Sequence, residues 1–374
     1  MKKVLFVATI TGHITGFHTP YLKWFKSQGY EVHVASNGKR EIEYCDKHYN
    51  LPFERIPWNK NNLKVYKELK RIINENKYEI IHCHTPVGGL LTRLAARTVR
   101  KNGTKVIYTA HGFHFYKGAS LLNWIIYYPI EKWMSYYTDC LVTINEEDYN
   151  LAMKKMKAEK IVHIDGVGMD TERFSKKISY EDDNMKRKEL GIEKKDLVFT
   201  YVAELNKNKN QILLIQTIEK LKEYYPNIKL ILVGPYKNKE YYDEEIRKRK
   251  LENNVILTGK RVKDVAEILS ITDVYLASSI REGLPVNIME AMYMRLPIIA
   301  TNNRGHRELV KNNVNGYIVK NDANEFEKAI KEILKDKDKM NQFKNNSYEM
   351  SKKYQIENVI QQMINLYKEV SEDI

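Results

Sequence analysis

The chain has 374 residues, a formal net charge of +14 and 43% hydrophobic side chains, which makes it too long for one ordinary core and compositionally globular. No apolar run reaches the roughly 18 to 20 residues of a membrane span, and three cysteines without paired spacing, Cys45, Cys83 and Cys140, argue against a disulfide framework and for a reducing, cytoplasmic compartment. Residues 1–180 hold 28 Lys/Arg against 17 Asp/Glu, with 34 against 31 beyond; no nucleic-acid-binding signature accompanies this basic half, which suits a polyphosphate or an anionic membrane surface.

Lys2-Lys3 followed by VLFVATI imitates a signal peptide. The apolar stretch is short and no small-residue cleavage site follows, so it reads as a first buried strand. After it, EVHVAS, YEIIHCHT, KVIYTAH, CLVTIN and KIVHIDG read as further strands, separated by helical patterns such as TPYLKWFKSQG and LKVYKELKRIINENK. This is the βαβ rhythm of a parallel sheet covered by helices.

Within this half, Gly12 to Gly16 reads as a Gly-bearing loop whose backbone N–H groups suit phosphate or acceptor. His18 opens the next helix, facing either a ligand or solvent. His82-Cys83-His84 places two histidines on one face of a strand, but no further ligand follows at zinc-like spacing, so structural histidines are expected. His111, with Gly112 behind it, ends the strand KVIYT where open α/β sheets collect ligands; a structural histidine is the alternative. The aromatic stretch from Leu121 to Tyr137, broken by Pro129, suits core packing or a membrane interface.

Residues 176–196 are charged and short of apolar runs, as a domain connection would be. The alternation then restarts with LVFTYVAEL, IKLILVG, NVILTG, DVYLAS and PIIAT. The expected division is residues 1–175, a linker 176–196, a second α/β domain 197–350, and an amphipathic C-terminal helix 351–374. Asp336 and Asp338 form an Asp-x-Asp in a charged helical run rather than after a strand, so a divalent-metal carboxylate motif is not expected.

The stretch from Arg281 to Glu290, REGLPVNIME, carries the most chemistry. A buried strand precedes it, Gly283, Leu284 and Pro285 form a turn, and Pro285 suits the first turn of a helix. Such a helix start offers free N–H groups and a positive dipole end to a diphosphate. Glu282 before it and Glu290 within it suit hydroxyls on either side of the phosphates; helix capping and surface exposure are the alternatives.

From Val255 to Val319 the chain resembles the nucleotide-sugar-binding half of retaining GT-B glycosyltransferases of family 4, in the order ILTGKRVKDVAEIL, ITDVYLASSIREGLPVNIMEAM, LPIIATNNRGHRELV, NNVNGYIV. The likeness extends over nearly the whole chain, and NRGHREL resembles the subgroup that builds capsules, exopolysaccharides and lipid-linked glycans. It implies an α/β GT-B fold, two Rossmann-like domains facing a central cleft, with a C-terminal helix that crosses back to the first. It implies that Glu282 holds donor hydroxyls, Glu290 the ribose, and His111 the hexose. Lys209 matches a lysine aimed at the diphosphate. Glu204 stands where the family has an arginine, and Lys207 is the candidate substitute. Gly259, Lys260 and Arg261 would offer backbone groups to uracil, while Arg304 and Gly305 replace a common Gly-Gly.

The expected activity is metal-independent, retaining transfer of a hexose or N-acetylhexosamine from a UDP-sugar, with no cofactor, to a polyprenyl-diphosphate-linked saccharide at the inner face of a bacterial membrane. An epimerase of the same architecture and a non-catalytic nucleotide-sugar or polyanion-binding module are the alternatives.

Overall fold

A computed structural model describes residues 1–175, 178–261 and 263–372. They divide into two compact units, Met1–Gly168 with Glu357–Ile374, and Met169–Ile356.

In the first unit the strands are β1 (Lys3–Ile10), β2 (Glu31–Asn37), β3 (Lys47–Asn50), β4 (Ile80–His84), β5 (Lys105–Ala110), β6 (Cys140–Thr143) and β7 (Lys160–His163). Between them run α1 (Thr11–Phe17), α2 (Thr19–Ser27), α3 (Lys60–Asn76), α4 (Pro86–Arg100), α5 (Leu121–Ser135) and α6 (Glu146–Lys155). The sheet order is β3-β2-β1-β4-β5-β6-β7, all parallel. Helices cover both faces, which is why the central strands are continuously apolar: Val4, Leu5, Phe6 and Val7 are fully buried. Val65, Leu69 and Ile72 of α3 pack on one face with Leu91 and Ala95 of α4. Leu22 and Phe25 of α2 cover the other.

The second unit begins with α7 (Glu172–Ser175) and α8 (Tyr180–Glu189). Its strands are β8 (Leu197–Val202), β9 (Ile228–Val233), β10 (Val255–Gly259), β11 (Val274–Ala277), β12 (Ile298–Thr301) and β13 (Gly316–Val319). The helices are α9 (Gln211–Leu221), α10 (Lys239–Lys248), α11 (Val265–Ser270), α12 (Val286–Tyr293), α13 (Arg304–Leu309), α14 (Ala323–Lys335) and α15 (Lys337–Ser351). The order is β10-β9-β8-β11-β12-β13, again all parallel. Asp336 caps α15 by accepting from the Lys339 N–H at 2.9 Å, so the Asp-x-Asp is a helix start.

The domain boundaries differ from the expected 1–175, 176–196 and 197–350. The break falls between Gly168 and Met169, and about half of the expected linker is α8, started by a capping box between Ser179 and Asp182. Lys186 pairs with Asp264 at 2.9 Å, Ser270 donates to Asp183 at 2.5 Å, and the Arg187 guanidinium donates to the Ile271 carbonyl at 3.2 Å. The charges that suggested a solvated connection are satisfied by partners about 80 residues later.

The last helix, α16 (Ile356–Glu372), belongs almost entirely to the first unit. Val359, Met363 and Leu366 join the apolar layer over α2. Gln362 Nε2 donates to Asp165 at 2.9 Å, and buried Tyr367 meets His82 Nδ1 at 2.7 Å, while His82 Nε2 meets Thr109 at 2.8 Å. Tyr367→Phe would leave an imidazole nitrogen buried without its partner, so a loss of about 1 to 3 kcal/mol is expected in urea denaturation.

Candidate functional site

In the second unit, the segment after β11 turns through Glu282, Gly283 and Leu284 into α12, with Pro285 at the N-cap in an extended conformation. Pro285 supplies no side-chain cap; the Ile288 N–H is used by the Pro285 carbonyl at 3.2 Å and by Asn287 Oδ1 at 3.0 Å, which leaves the N–H groups of Val286 and Asn287 as the donors for an anion. The loop after β8 is stitched to the turn: Ile280 N–H donates to the Asn208 carbonyl at 2.8 Å, Asn208 Nδ2 to the Arg281 carbonyl at 3.1 Å, and Ser278 Oγ to the Lys209 carbonyl at 2.7 Å. These bonds bring Lys209 Nζ to Glu282 Oε1 at 2.5 Å, with the two side chains 22% and 14% exposed. A cation and a carboxylate therefore meet just before the start of α12.

Behind the turn lies Arg304, which is buried and donates through Nε to the Glu282 carbonyl at 3.2 Å. A Cβ on Gly305 would stand 2.8 Å from the Gly283 carbonyl oxygen, so α13 packs this closely only with glycine there. Arg304 and Gly305 thus support the backbone of the glutamate turn. Gly234, not singled out in the sequence, is a second tight approach: at φ +157° a Cβ would meet the Ala203 carbonyl oxygen at 2.0 Å. Its only sequence signal was its place after a strand.

Glu290 lies within α12 with its side chain 13% exposed. Burial pushes its carboxyl up to about 7, against the nearby Arg173 guanidinium, 3.7 Å away, while Asp170 adds to the upward shift. Lys207 and Glu204 are exposed. Gly259 closes β10 at φ +69° and Lys260 is exposed. The Arg261 side chain is held by Glu189 at 2.8 Å and Asp264 at 2.7 Å, which leaves its backbone for a ligand.

In the first unit the expected loop from Gly12 to Gly16 is helix α1, because the chain turns directly from β1 into a helical turn. The N–H groups later in this segment are then used within the helix. His18, at the start of α2, is buried rather than at the surface. Its ring stacks on His84 with centroids 3.8 Å apart. His13 Nε2 lies 3.1 Å from His111 Nε2, which lies 3.4 Å from His84 Nδ1.

The expectation that His84 has no neighbouring ligands is corrected here. His13, His18, His84 and His111 hold their ligand atoms within 4.8 Å of one another, because α1, β4 and β5 converge although they are far apart in sequence. Burial lowers all four, His13 to about 4 and His18, His84 and His111 well below the ordinary value. These are neutral imidazoles, able to donate or accept a hydrogen bond at each end. His13 was within reach of sequence reasoning only as part of the Gly12 to Gly16 segment.

The aromatic helix α5 packs part of its apolar surface and leaves part exposed. Trp124 and Tyr128 pack against Phe115, and Trp124 Nε1 donates to the Tyr116 carbonyl at 3.3 Å. Leu121, Leu122, Ile125 and Trp133 are 79%, 63%, 70% and 51% exposed. Among the described residues no helix is long and apolar enough to cross a membrane.

Residues 3–145 match the family model of glycosyl transferase 4-like proteins, and residues 182–350 that of glycosyl transferases group 1. EpsD of Bacillus subtilis is 46% identical over 334 residues, covering 89% of this chain and 87% of EpsD. The chain is a group 1 glycosyltransferase. An Escherichia coli relative of this transferase, UDP-Gal:alpha-D-GlcNAc-diphosphoundecaprenol alpha-1,3-galactosyltransferase, is 28% identical over 298 residues, covering 75% of this chain and 74% of the relative. Among solved structures, Anabaena HepE in complex with UDP and glucose is similar with a TM-score of 0.76 at 19% identity, covering 99% of this chain and all of HepE. The fold of the transferase is accordingly GT-B.

The raised Glu290 carboxyl makes the stability of the transferase depend on pH. The folded state favours the neutral form, so a cost appears as pH rises from the unfolded value near 4.5 and is complete above about 7. Glu290→Gln is expected to stabilise the protein by roughly 1 to 3 kcal/mol at pH 8 and to change little near pH 4.5, measured by denaturant melts across that range.

Proposed function

We propose that the protein is a metal-independent, retaining transferase that moves a hexose or N-acetylhexosamine from a UDP-sugar to a polyprenyl-diphosphate-linked saccharide in bacterial surface polysaccharide synthesis. The observation that carries this reading is the meeting of Lys209 and Glu282 just before the start of α12, with Glu290 further along the same helix. The UDP found in the similar HepE structure and the diphosphoundecaprenol in the name of the Escherichia coli relative support the choice of donor and acceptor.

In this reading the diphosphate lies at the start of α12, and Lys209 is shared between it and Glu282. As the bond to the leaving phosphate breaks, negative charge grows on its oxygens, where a preorganised cation and helix N–H groups stabilise it most. These supply the electrostatic work that a divalent ion does in other transferases, so no metal is assigned. Glu282 takes donor hydroxyls, Glu290 the ribose, and His111, held neutral, a hydroxyl of the hexose. Lys207 is the remaining loop cation for the phosphates, in place of the arginine that Glu204 replaces. Front-face substitution is the assigned route to retention.

Glu290→Ala removes an acceptor for two ribose hydroxyls that is charged above about pH 7, so UDP affinity measured by calorimetry at pH 8 is expected to weaken by about 1.5 to 3 kcal/mol; unchanged affinity in a folded variant removes Glu290 from the ribose site. Lys209→Ala is expected to lower kcat by roughly 10²- to 10³-fold with a smaller change in donor KM, since its charge matters most in the transition state. Turnover is expected to persist in chelator, and a strict requirement for manganese or magnesium overturns the metal-free assignment.

The exposed apolar face of α5 and the excess of Lys/Arg in residues 1–180 support docking on an anionic bilayer. Ile125→Ser combined with Trp133→Ser is expected to weaken binding to anionic vesicles while leaving turnover on a short-chain soluble acceptor. Trp124 is unsuitable for this test because it packs on Phe115. Equal binding to neutral and anionic vesicles at the same salt overturns the electrostatic part of the proposal.

A further inference from the structure

Hydrogen bonds among the clustered imidazoles of the first unit do not satisfy all of them. His111 Nε2 lies 3.1 Å from His13 Nε2 and 3.4 Å from His84 Nδ1. A neutral imidazole nitrogen carries either one proton or one lone pair in the ring plane, so His111 Nε2 pairs properly with only one of these two neighbours, whichever tautomers are chosen. Beside them, both nitrogens of His18 are buried with no hydrogen-bond partner among the described residues. Buried polar atoms are otherwise nearly always paired, and the shortfall is concentrated where the imidazoles converge.

A cation that accepts lone pairs removes the contest at His111. Four-coordinate zinc, with Zn–N bonds of about 2.0 to 2.1 Å, sets its ligand nitrogens about 3.3 to 3.4 Å apart. Both observed separations are close to that edge, and the third, between His13 and His84, is within 4.8 Å; a small turn of the half-buried His13 side chain closes it. The rings also approach from different directions, His13 and His111 at 86° and His84 and His111 at 44°, so lone pairs in the ring planes can converge on one point. His18 is different. It lies nearly parallel to His84, at 20° with centroids 3.8 Å apart, and two stacked rings do not aim their lone pairs at one ion. Three ligands therefore leave a fourth position open to water, and one nitrogen of His18 lies within 4.8 Å of the ligand atoms, in reach of a water held there.

The donor set selects the ion. Three imidazoles with no carboxylate in the group favour zinc, copper or nickel over magnesium or manganese. Burial keeps the rings neutral, so protons do not compete for the lone pairs near neutral pH.

We propose that His13, His84 and His111 form a binding site for a zinc-like divalent cation and that its occupancy inhibits sugar transfer. The inhibition rests on the transferase reading above, in which His111 holds a hydroxyl of the hexose: an ion on His111 Nε2 takes that nitrogen from the sugar. The ion supplies no step of the reaction, in keeping with turnover in chelator.

The test uses the full chain stripped with chelator, titrated with Zn²⁺ by calorimetry and with Co²⁺ by absorption spectroscopy. Wild type is expected to bind one equivalent of Zn²⁺, undisturbed by excess Mg²⁺, and to give Co²⁺ the visible bands of four-coordinate ligation. His13→Ala is expected to weaken Zn²⁺ binding at least about tenfold. His13→Cys, which restores a ligand of another kind, is expected to recover affinity and to add a sulfur-to-cobalt charge-transfer band. His48→Ala, outside the group, is expected to bind Zn²⁺ as wild type does. One equivalent of Zn²⁺ is expected to remove most of the wild-type turnover, and excess chelator to restore it. Equal Zn²⁺ affinity in wild type and His13→Ala, or a His13→Cys protein whose cobalt spectrum lacks the sulfur band, overturns the site. Full turnover with the site loaded overturns its inhibitory role. A wild type that binds Zn²⁺ but releases UDP from no UDP-sugar in the presence of a prenyl-diphosphate-linked acceptor overturns the transferase reading and leaves the metal site standing.

Discussion

In an all-parallel sheet every strand delivers its following segment to the same edge, and both units of this protein are built from such sheets. The chemistry depends on that constraint. Lys209 follows β8 and Glu282 follows β11, while His84 ends β4 and His111 follows β5. Strands adjacent in the sheet therefore bring together residues 73 positions apart in one unit and 27 apart in the other. The loops are then fixed by side-chain bonds to backbone, such as Asn208 to the Arg281 carbonyl and Arg304 to the Glu282 carbonyl.

The electrostatics of the two sites differ accordingly. In the second unit a cation and two carboxylates lie near a helix start, and burial raises the Glu290 carboxyl to about 7. In the first unit burial keeps four clustered imidazoles neutral. Charged groups thus dominate the candidate site of the second unit, and neutral imidazoles the cluster of the first.

Departures from the family pattern show how neighbours compensate. Arg304 in place of a small residue is buried and bonds the Glu282 carbonyl, while Gly305 preserves the close approach. Glu204 is exposed and makes no ion pair with Lys209, whose partner is Glu282. The cations of the loop after β8 are then Lys207 and Lys209.

Strand positions, the βαβ order and the turn around Glu282 were legible in the sequence because they depend on local periodicity, glycine and proline. So was the position of His111, since a strand end can be read from the apolar run before it. Residues 176–196 were misread because the partners of Lys186 and Arg187 lie about 80 residues away, and Gly12 to Gly16 because two glycines suggested a loop where the chain starts a helix. What the sequence by itself determined was the fold class, the family and the turn around Glu282. Only the tertiary structure decided the domain boundary, the bond between His82 and Tyr367, and the gathering of His13, His18, His84 and His111, because each depends on contacts between residues distant in the chain, which no local pattern encodes.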